Sequence, residues 1–446
     1  MKGFLDEFAA YEARHGTPDR LELLLPDINA IHRGKWLPGT DAKKLADGGV
    51  RLPLSTYAPN IMGEEIAETG LGMAVGDPDA VMVPVEGTLK PVPWAEGHVA
   101  QVQCEMTEDG EIVSPLSARD KLSAMLARFA DRGLTPVIAT ELEFYIFCPR
   151  ETPDEPPSPP PHAPDAQNYE LNVLDRTQDI LTEIQQASAA QGLATDSLIA
   201  EYGPGQYEIN FHHTDDALEA ADTAVLFRRL VRGVVARHGM EASFMAKPYA
   251  EHPGNGMHVH VSVTGGDGNI FAGDGEAISD TLGHAVAGVL ATMSDAQAVL
   301  APHLNSFRRF APGSFSPNRP DWGLDHRGAA VRLPDIAGAA ARLEHRIGGA
   351  DCNPYLAITA ILGGVLHGLD ATPELPLPID DPSAPAPQPL AHDWRTAVDA
   401  FAASDFIAEV FGDRFRHIFA TLKYDEIAKL TSEITPVEYR IYLGRL

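Results

Sequence analysis

Five short segments of the chain alternate between apolar and charged or polar side chains. Successive side chains of a β-strand point to opposite faces, so a period of two predicts strands that each have one apolar and one polar face. Such strands are typical of an antiparallel sheet, because only one of its faces has to pack against a hydrophobic core. The segments are TELEFYIF at 140–147, EYGPGQYEINF at 201–211, GMHVHVSV at 256–263, AAVRLP at 329–334 and ARLEHRI at 341–347.

The polar faces of these strands carry Glu, His and Arg with hardly any Lys. A solvated outer face usually carries Lys, Thr, Ser and Gln, and for any single strand that interpretation stays open. Glu-rich sets with a His suit Mg²⁺ or Mn²⁺ better than Zn²⁺, and the rigid guanidinium fork of Arg binds pairs of phosphate oxygens. The five faces together predict a site for metal, phosphate and carboxylate, which is what phosphoryl transfer needs from a protein. The residues on these faces are Glu141, Glu143, Glu208, Asn210, His258, His260, Ser262, Arg332, Arg342, Glu344 and Arg346.

Charge and cysteine content exclude several classes of partner. The formal net charge of −29 argues against nucleic acid and against an anionic membrane surface, because both attract basic proteins. Three widely separated cysteines without a CxxC spacing indicate reduced thiols. The N-terminus lacks the apolar core of a signal peptide, and no run of about 18 apolar residues predicts a membrane span. We therefore expect a cytoplasmic protein.

The remaining sequence predicts a small β-rich region of about 105 residues, followed by a larger region of mixed helix and sheet. A proline-rich stretch at 149–164 predicts an exposed loop or insertion. The segments GPGQ at 203–206 and HPGNG at 252–256 are compatible with plain turns, and no glycine-rich nucleotide motif occurs in a strand–helix context. Helices are predicted near 4–15, from a cap at Ser117 to an end at Gly133, near 176–191, 218–238, 277–293 and 354–369, and over the last 50 or so residues.

The order of the motifs resembles the glutamine synthetase family, including its relatives that form γ-glutamylamines. The resemblance covers nearly the whole chain. The motifs are RGK at 33–35, GDPD at 76–79, ELE at 141–143, EYGPGQYE at 201–208, FMAKP at 244–248, GNGMHVHVS at 254–262, NSFRRFAPG at 305–313, DHRGAAVRLP at 325–334, ARLEHR at 341–346 and NPYL at 353–356.

The resemblance implies an α+β fold with a small N-terminal β-grasp domain over 1–108. A large glutamine-synthetase-type catalytic α/β domain with an antiparallel sheet would follow over 109–446. It also implies a homo-oligomer, a dodecamer of two stacked hexameric rings with active sites between neighbouring subunits. The implied substrates are glutamate, ATP and a nitrogen nucleophile, and the implied product is a γ-glutamylamide formed through γ-glutamyl phosphate.

The resemblance also implies roles for individual residues. Glu143, Glu201 and Glu208 would hold one Mg²⁺ or Mn²⁺ ion, and Glu141, His258 and Glu344 would hold a second. Implied for the other substrates are Arg327 at the phosphoryl group in transfer, Arg332, Arg342, His260 and Ser262 for ATP, and Gly254, Arg309 and Arg346 for glutamate.

Three features depart from the ammonia-using pattern. Phe315 stands where the family has a flap glutamate, and Leu52–Thr56 replaces the motif that supplies an ammonium-site aspartate. Asp79 remains as an acidic candidate to accept a proton from the nucleophile. No tyrosine follows Leu369 at the family's adenylylation position.

These departures favour an organic amine as nucleophile, with Phe315 in the amine pocket, because an aromatic ring can line an apolar wall and attract a cation but cannot take a proton. The alternatives are a glutamine synthetase that uses ammonia and a non-catalytic paralogue. The identity of the amine is left open, and the acyl substrate could be a glutamate analogue.

Overall fold

The computed structural model describes residues 2–108, 112–273, 275–311 and 313–446. The strands are β1 Arg20–Pro26, β2 His32–Pro38, β3 Arg51–Pro53, β4 Asp79–Pro84, β5 Lys90–Pro91, β6 Val99–Glu108, β7 Ile112–Val113, β8 Thr135–Phe147, β9 Thr195–Ala200, β10 Gln206–Phe211, β11 Glu241–Ser243, β12 Met257–Gly265, β13 Gly268–Asn269, β14 Trp322–Leu324, β15 Val331–Asp335 and β16 Arg342–His345. The helices are α1 Lys2–His15, α2 Ala42–Ala46, α3 Ala118–Ala130, α4 Leu171–Arg176, α5 Gln178–Ala190, α6 Ala217–Arg237, α7 Asp280–Leu300, α8 Pro354–Ala371, α9 Trp394–Ala403, α10 Asp405–Phe411, α11 Asp413–Ser432 and α12 Pro436–Tyr442.

The first sheet contains the N-terminal strands in the order β2-β1-β6-β4-β3, with β5 and β7 also paired to β6. Only the β1–β6 pair is parallel in this sheet. The β-rich character predicted for the first hundred residues is therefore confirmed. The predicted division at 108/109 adjoins residues 109–111, which lie outside the described residues, and β7 continues the sheet beyond them; the division stays a prediction.

The second sheet has the order β14-β15-β16-β12-β8-β10-β9, with β11 on β8 and β13 on β12. It is antiparallel apart from the β14–β15 pair. The five alternating segments become β8, β10, β12, β15 and β16, as the period of two predicted. Their apolar faces form the core: Leu142, Phe144 and Val261 are fully buried, and Ile209 is 1% exposed.

Helices α3, α6 and α7 pack against this sheet, and α8 packs on these three helices. The α7–α8 contact is very close, since a Cβ on Gly288 would lie 2.3 Å from the Gly368 nitrogen and 2.4 Å from the Gly364 oxygen. Glycine is required there because any side chain would push the two helices apart. Within the described residues, α8 is the helix long and apolar enough to cross a membrane, with a mean hydropathy of 1.2, but 78% of it is buried inside the protein, as in a core helix.

The bounds of α7 differ from the prediction of 277–293. The hydroxyl of Ser279 accepts a hydrogen bond from the Leu282 N–H at 3.2 Å and so caps the helix later than the apolar pattern indicated. At the other end Gln297 bonds the backbone of Ala391 through both amide atoms, which extends the helix to Leu300. Both causes depend on contacts that a periodicity analysis does not contain.

A buried ion pair joins α11 to the N-terminal region. Lys423 and Glu426 are both fully buried, and their side chains lie 3.0 Å apart. The Lys423 ammonium also donates to Asn29 Oδ1 at 2.8 Å, and Glu426 Oε1 accepts from the Ile61 N–H at 2.9 Å. The pair therefore connects the end of the chain to two loops of the first sheet.

We expect Lys423→Met to lower the free energy of unfolding by about 3–5 kcal/mol, because removal of one partner leaves a buried charge uncompensated. The measurement is the apparent melting temperature, recorded with that of Lys429→Met. Lys429 lies on the same helix and bonds Glu64 at 2.6 Å, but its side chain is 41% exposed. Its loss should change the melting temperature far less, and equal shifts would contradict the prediction.

Candidate active site

Strand register places the acidic residues directly opposite one another. β8 carries Glu141 and Glu143 on its polar face. In the β8–β10 pair Glu143 lies opposite Glu208, and in the β8–β12 pair Glu141 lies opposite His258. Opposite residues of antiparallel strands have their Cβ atoms within about 5.5 Å. The three strands therefore concentrate carboxylates and an imidazole at the centre of the sheet.

The same face continues into the arginine-rich strands. Glu344 on β16 lies opposite His260 on one side and opposite Arg332 on the other. Arg332 donates to Glu344 Oε2 at 2.7 Å and to Asp325 Oδ1 at 2.5 Å, and Arg346 also forms an ion pair with Glu344. Glu344 has no exposed surface. A solvated outer face does not bury a carboxylate in this way, so that interpretation is wrong here.

A cavity of about 810 Å³ opens onto this face. It contains most of the predicted site residues and several that the sequence analysis did not single out. Its lining comprises Glu141, Glu143, Asn168, Tyr169, Ile199, Glu201, Tyr202, Gln206, Glu208, Asn210, Pro253, Gly254, His258, Arg309, Ser314, Phe315, Ser316, Pro317, Arg327, Gly328, Arg332 and Arg346.

On one side of the acidic cluster, burial and mutual repulsion act together on the carboxyl groups. Burial and the negative charge of Glu143 raise the pKa of the Glu201 carboxyl to about 7. Burial and the charges of Glu141 and Glu143 raise the pKa of Glu208 well above its usual value. Carboxylates crowded in this way are stabilised in their charged form by a nearby cation. The region between β8 and β10 therefore fits a divalent metal ion.

On the other side of the cluster, basic groups compensate the charge. Burial raises the pKa of Glu141, but hydrogen bonds from His258 and His260, each 2.9 Å long, prevail and hold it below its usual range. Burial also acts on Glu344, yet the charges of His258 and Arg346 leave the pKa of that carboxyl lowered. Both carboxylates are therefore ionised near neutral pH.

Two groups of ligand atoms lie within 4.8 Å of one another: Glu141, Glu208 and His258, and Glu141, His260 and Glu344. The first group combines residues from both of the sets that the family resemblance implies. The second group includes His260, which was expected to contact nucleotide. The six expected metal ligands share one sheet face or its edge. How they divide between two ions stays a prediction.

The glycine segment at 252–256 is more than a turn. The Gly256 N–H donates to Glu143 Oε2 at 2.6 Å, and a Cβ on Gly254 would lie 2.6 Å from the Cγ of Arg309. Arg309 is 4% exposed and donates to the Ile347 oxygen at 2.9 Å. Small residues here let the backbone approach both side chains, which places a guanidinium beside the carboxylates.

Five predicted site residues lie outside the cavity lining. One of them is Glu344, whose side chain is fully buried. His260 and Arg342 lie farther along the same face, with the Arg342 Nε 3.4 Å from His260 Nδ1, and Ser262 follows on β12. Asp79 is exposed at the start of β4 in the first sheet. Arg327, in contrast, lies exposed on the loop between β14 and β15 and lines the cavity.

Sequence reasoning missed Tyr169 and Tyr202 at the cavity rim. The charge of Glu201, followed by burial, raises the pKa of the Tyr169 phenol, so this ring faces the acidic cluster. The Tyr202 ring packs against Phe315 with centroids 5.4 Å apart. Tyr202 lies within the motif EYGPGQYE and directly follows Glu201, an expected metal ligand. This adjacency was the signal that could have identified Tyr202 as a site residue. Nothing in the local sequence pattern marked Tyr169.

Clustered carboxylates and imidazoles, adjacent arginines and one shared cavity fit an enzyme that transfers a phosphoryl group with the help of divalent cations. The family model "Glutamine synthetase, catalytic domain" matches residues 115–442. The chain therefore belongs to the glutamine synthetase family of ATP-dependent carbon–nitrogen ligases.

The chain is 36% identical to gamma-glutamylputrescine synthetase PuuA of Escherichia coli K12, over 98% of this chain and 94% of that protein. It is 32% identical to the glutamate–isopropylamine ligase of a Pseudomonas species, over 95% of both. The solved structure of a GmaS/ADP complex superimposes with a TM-score of 0.86 at 28% identity, covering 98% of this chain and 99% of the other. The expected family and its γ-glutamylamine-forming branch are thereby confirmed.

After removal of metal with excess EDTA, we expect Mg²⁺ to raise the melting temperature more at pH 8 than at pH 6. A carboxyl with a raised folded-state pKa stabilises the metal-free fold below its unfolded pKa and loses that contribution as the pH rises through about 7 for Glu201. The metal must displace this proton at pH 6 but not at pH 8. Thermal shifts at both pH values test this expectation, with Glu201→Gln as the variant in which the difference should shrink. Equal shifts in the unmodified protein would contradict it.

Proposed function

We propose that the chain ligates the γ-carboxylate of glutamate to an organic amine with consumption of ATP. A γ-carboxylate oxygen attacks the terminal phosphorus of ATP, ADP leaves, and γ-glutamyl phosphate forms. The amine nitrogen then attacks the acyl carbon, the carbon–oxygen bond to phosphate breaks, and a base takes the amine proton. The products are a γ-glutamylamide, ADP and phosphate.

The position of Phe315 is the observation that favours an organic amine over ammonia as the nucleophile. Its ring is 66% exposed at the cavity rim and packs on Tyr202. Ammonium is small and strongly hydrated, so its site needs carboxylates to replace the water and accept a proton. An aromatic wall instead contacts the carbon body of an amine and offers a π face to its cation. Relatives named for putrescine, ethanolamine and isopropylamine support the same class.

The residues of the cavity fit the roles proposed for them. Glu143, Glu201, Glu208, Glu141, His258 and Glu344 would hold two Mg²⁺ or Mn²⁺ ions, which neutralise phosphate charge when bound. Arg309, Arg346 and the Gly254 backbone would hold glutamate. Arg327 and Arg332 would face the phosphates, and His260, Ser262 and Arg342 would extend the nucleotide site along the sheet.

The second candidate is a glutamine synthetase that uses ammonia. Archaeal proteins of that name, such as the Pyrococcus abyssi enzyme at 32% identity over 79% of this chain, favour it. A non-catalytic paralogue is disfavoured, because the described residues fill every predicted metal and phosphate position.

We expect at least one organic amine to exceed ammonia in kcat/KM by about tenfold, which equals about 1.4 kcal/mol of transition-state binding. The measurement is glutamate- and ATP-dependent phosphate release with monoamines, diamines, polyamines, ethanolamine and ammonia. Phe315→Glu should narrow the ratio because it restores a carboxylate at the rim, whereas Phe315→Leu should not. Better use of ammonia than of every amine would sink the proposal.

The proposed assembly is a ring oligomer of about twelve subunits, with Asp79 of one copy completing the site of its neighbour. Two observations support it. Asp79 is exposed and lies apart from the cavity of its own chain. The helix α12 buries none of its residues and exposes Val437, Tyr439, Ile441 and Tyr442. Apolar side chains gathered on an exposed helix fit a contact with a second copy.

We also propose a β-grasp fold for 1–108, a catalytic domain over 109–446 and a cytoplasmic location.

Light scattering at micromolar concentration should therefore give a mass near twelve chains. Truncation after Glu433 removes α12 and should shift the distribution to smaller species, because the apolar contact is lost. Asp79→Asn should lower kcat while it leaves the mass unchanged. A fully active monomer would refute the shared site.

A further inference from the structure

An aromatic wall closes one side of the cavity rim. Tyr202 is 41% exposed, Tyr169 56% and Phe315 66%. Large rings left this exposed beside a cavity are typical of a binding surface rather than of a core. Tyr202 and Phe315 pack edge to face, with an interplanar angle of 63°. The two rings come from separate parts of the chain, so their contact depends on how each part is held.

Gln167 holds the turn that carries Tyr202. Its backbone N–H donates to the Tyr202 oxygen at 3.0 Å. Its side-chain amide donates to the Glu201 oxygen at 3.1 Å and to the Gln206 oxygen at 2.8 Å, and its Oε1 accepts from the Gly205 N–H at 2.8 Å. The residue is only 2% exposed. One side chain therefore bonds three backbone groups of the 201–206 turn, which fixes the turn from one side.

The residues that follow Gln167 have an unusual backbone. Asn168 has φ 41° and Tyr169 has φ 67°, both in the left-handed region. A bulky side chain is rare there because the conformation is strained, so the surrounding contacts must enforce it. The Tyr169 N–H donates to the Ala200 oxygen at 3.0 Å, which fixes the segment to the end of β9. Consecutive residues of this kind at a cavity wall point to a functional constraint.

We infer that Gln167 is a positioning residue for the amine: its side chain holds the turn that carries Tyr202 against Phe315, beside Tyr169 two residues further along, and this aromatic wall selects an amine by its carbon body. The inference rests on the proposed function and adds the group that sets its selectivity. Among the described cavity residues, every carboxylate belongs to the proposed metal sets. Within one chain, discrimination between amines therefore depends on aromatic contact, and the Asp79 proposed for the neighbouring copy would accept the amine proton.

The inference is tested with Gln167→Met, which keeps the length of the side chain but removes its three hydrogen bonds. We expect kcat/KM for the preferred amine, relative to ammonia, to fall at least about tenfold, or about 1.4 kcal/mol. The loss should come mainly from KM for the amine, while KM for glutamate changes little. Tyr202→Leu removes the exposed ring directly and should lower the same ratio without endangering the fold.

The matched control is Gln297→Met. Gln297 is fully buried and bonds the Ala391 backbone through both amide atoms at 2.8 and 2.9 Å, but it lies on α7 away from the cavity. It should lower the melting temperature and leave the amine-to-ammonia ratio unchanged. An unchanged ratio in both Gln167→Met and Tyr202→Leu, with an amine-selective unmodified enzyme, would overturn the inference and leave the proposed function standing. An unmodified protein that forms no amide with any amine would overturn both.

Discussion

The crowding of carboxylates on one face of the second sheet is the constraint on which the rest of the site depends. Glu143 and Glu208 lie opposite one another, and burial raises the pKa of Glu208 further. Several buried like charges are unfavourable unless cations or hydrogen-bond donors compensate them. His258 and the arginines supply that compensation toward β16, and a divalent ion would supply it toward β10. The negative charge on this face of the sheet would therefore be fully neutralised only with cations bound in the site.

The loops at the edge of the sheet place rigid backbone groups next to these carboxylates. The Gly254–Gly256 segment approaches both Glu143 and Arg309 because glycines leave room for contact. Buried Asn255 accepts from Gln206, and Gln206 also donates to the Gly254 oxygen at 3.0 Å. These bonds join two glycine-containing turns into one wall of the cavity. Fixed donors of this kind orient a substrate without reorganisation during the reaction.

Carboxylate activation and choice of nucleophile are assigned to different parts of the structure. The strands of the sheet carry most of the residues proposed to bind metal and phosphate, which any member of such a ligase class requires. The rim is built from loops, namely the segment with Phe315, the turn with Tyr202 and the stretch after the proline-rich insertion. Pro160 of that insertion lies against Gly205, so the insertion contributes to the support of the turn. Substitutions in the rim can therefore change which amine the enzyme accepts without changing the phosphoryl-transfer chemistry.

The sequence by itself determined which residues share a face, because the period of two follows from the geometry of each strand alone. Glu141 with Glu143, and Glu344 with Arg346, were assigned correctly for this reason, and the family motifs supplied the identity of the enzyme. The tertiary structure decided the lateral register, the grouping of ligands and the rim. Glu141 and His258 are separated by 117 positions, and no local pattern aligns them. Likewise, the left-handed backbone at Tyr169 and the bonds of Gln167 depend on a turn more than 30 residues away, because contacts between distant segments and not local preference enforce them.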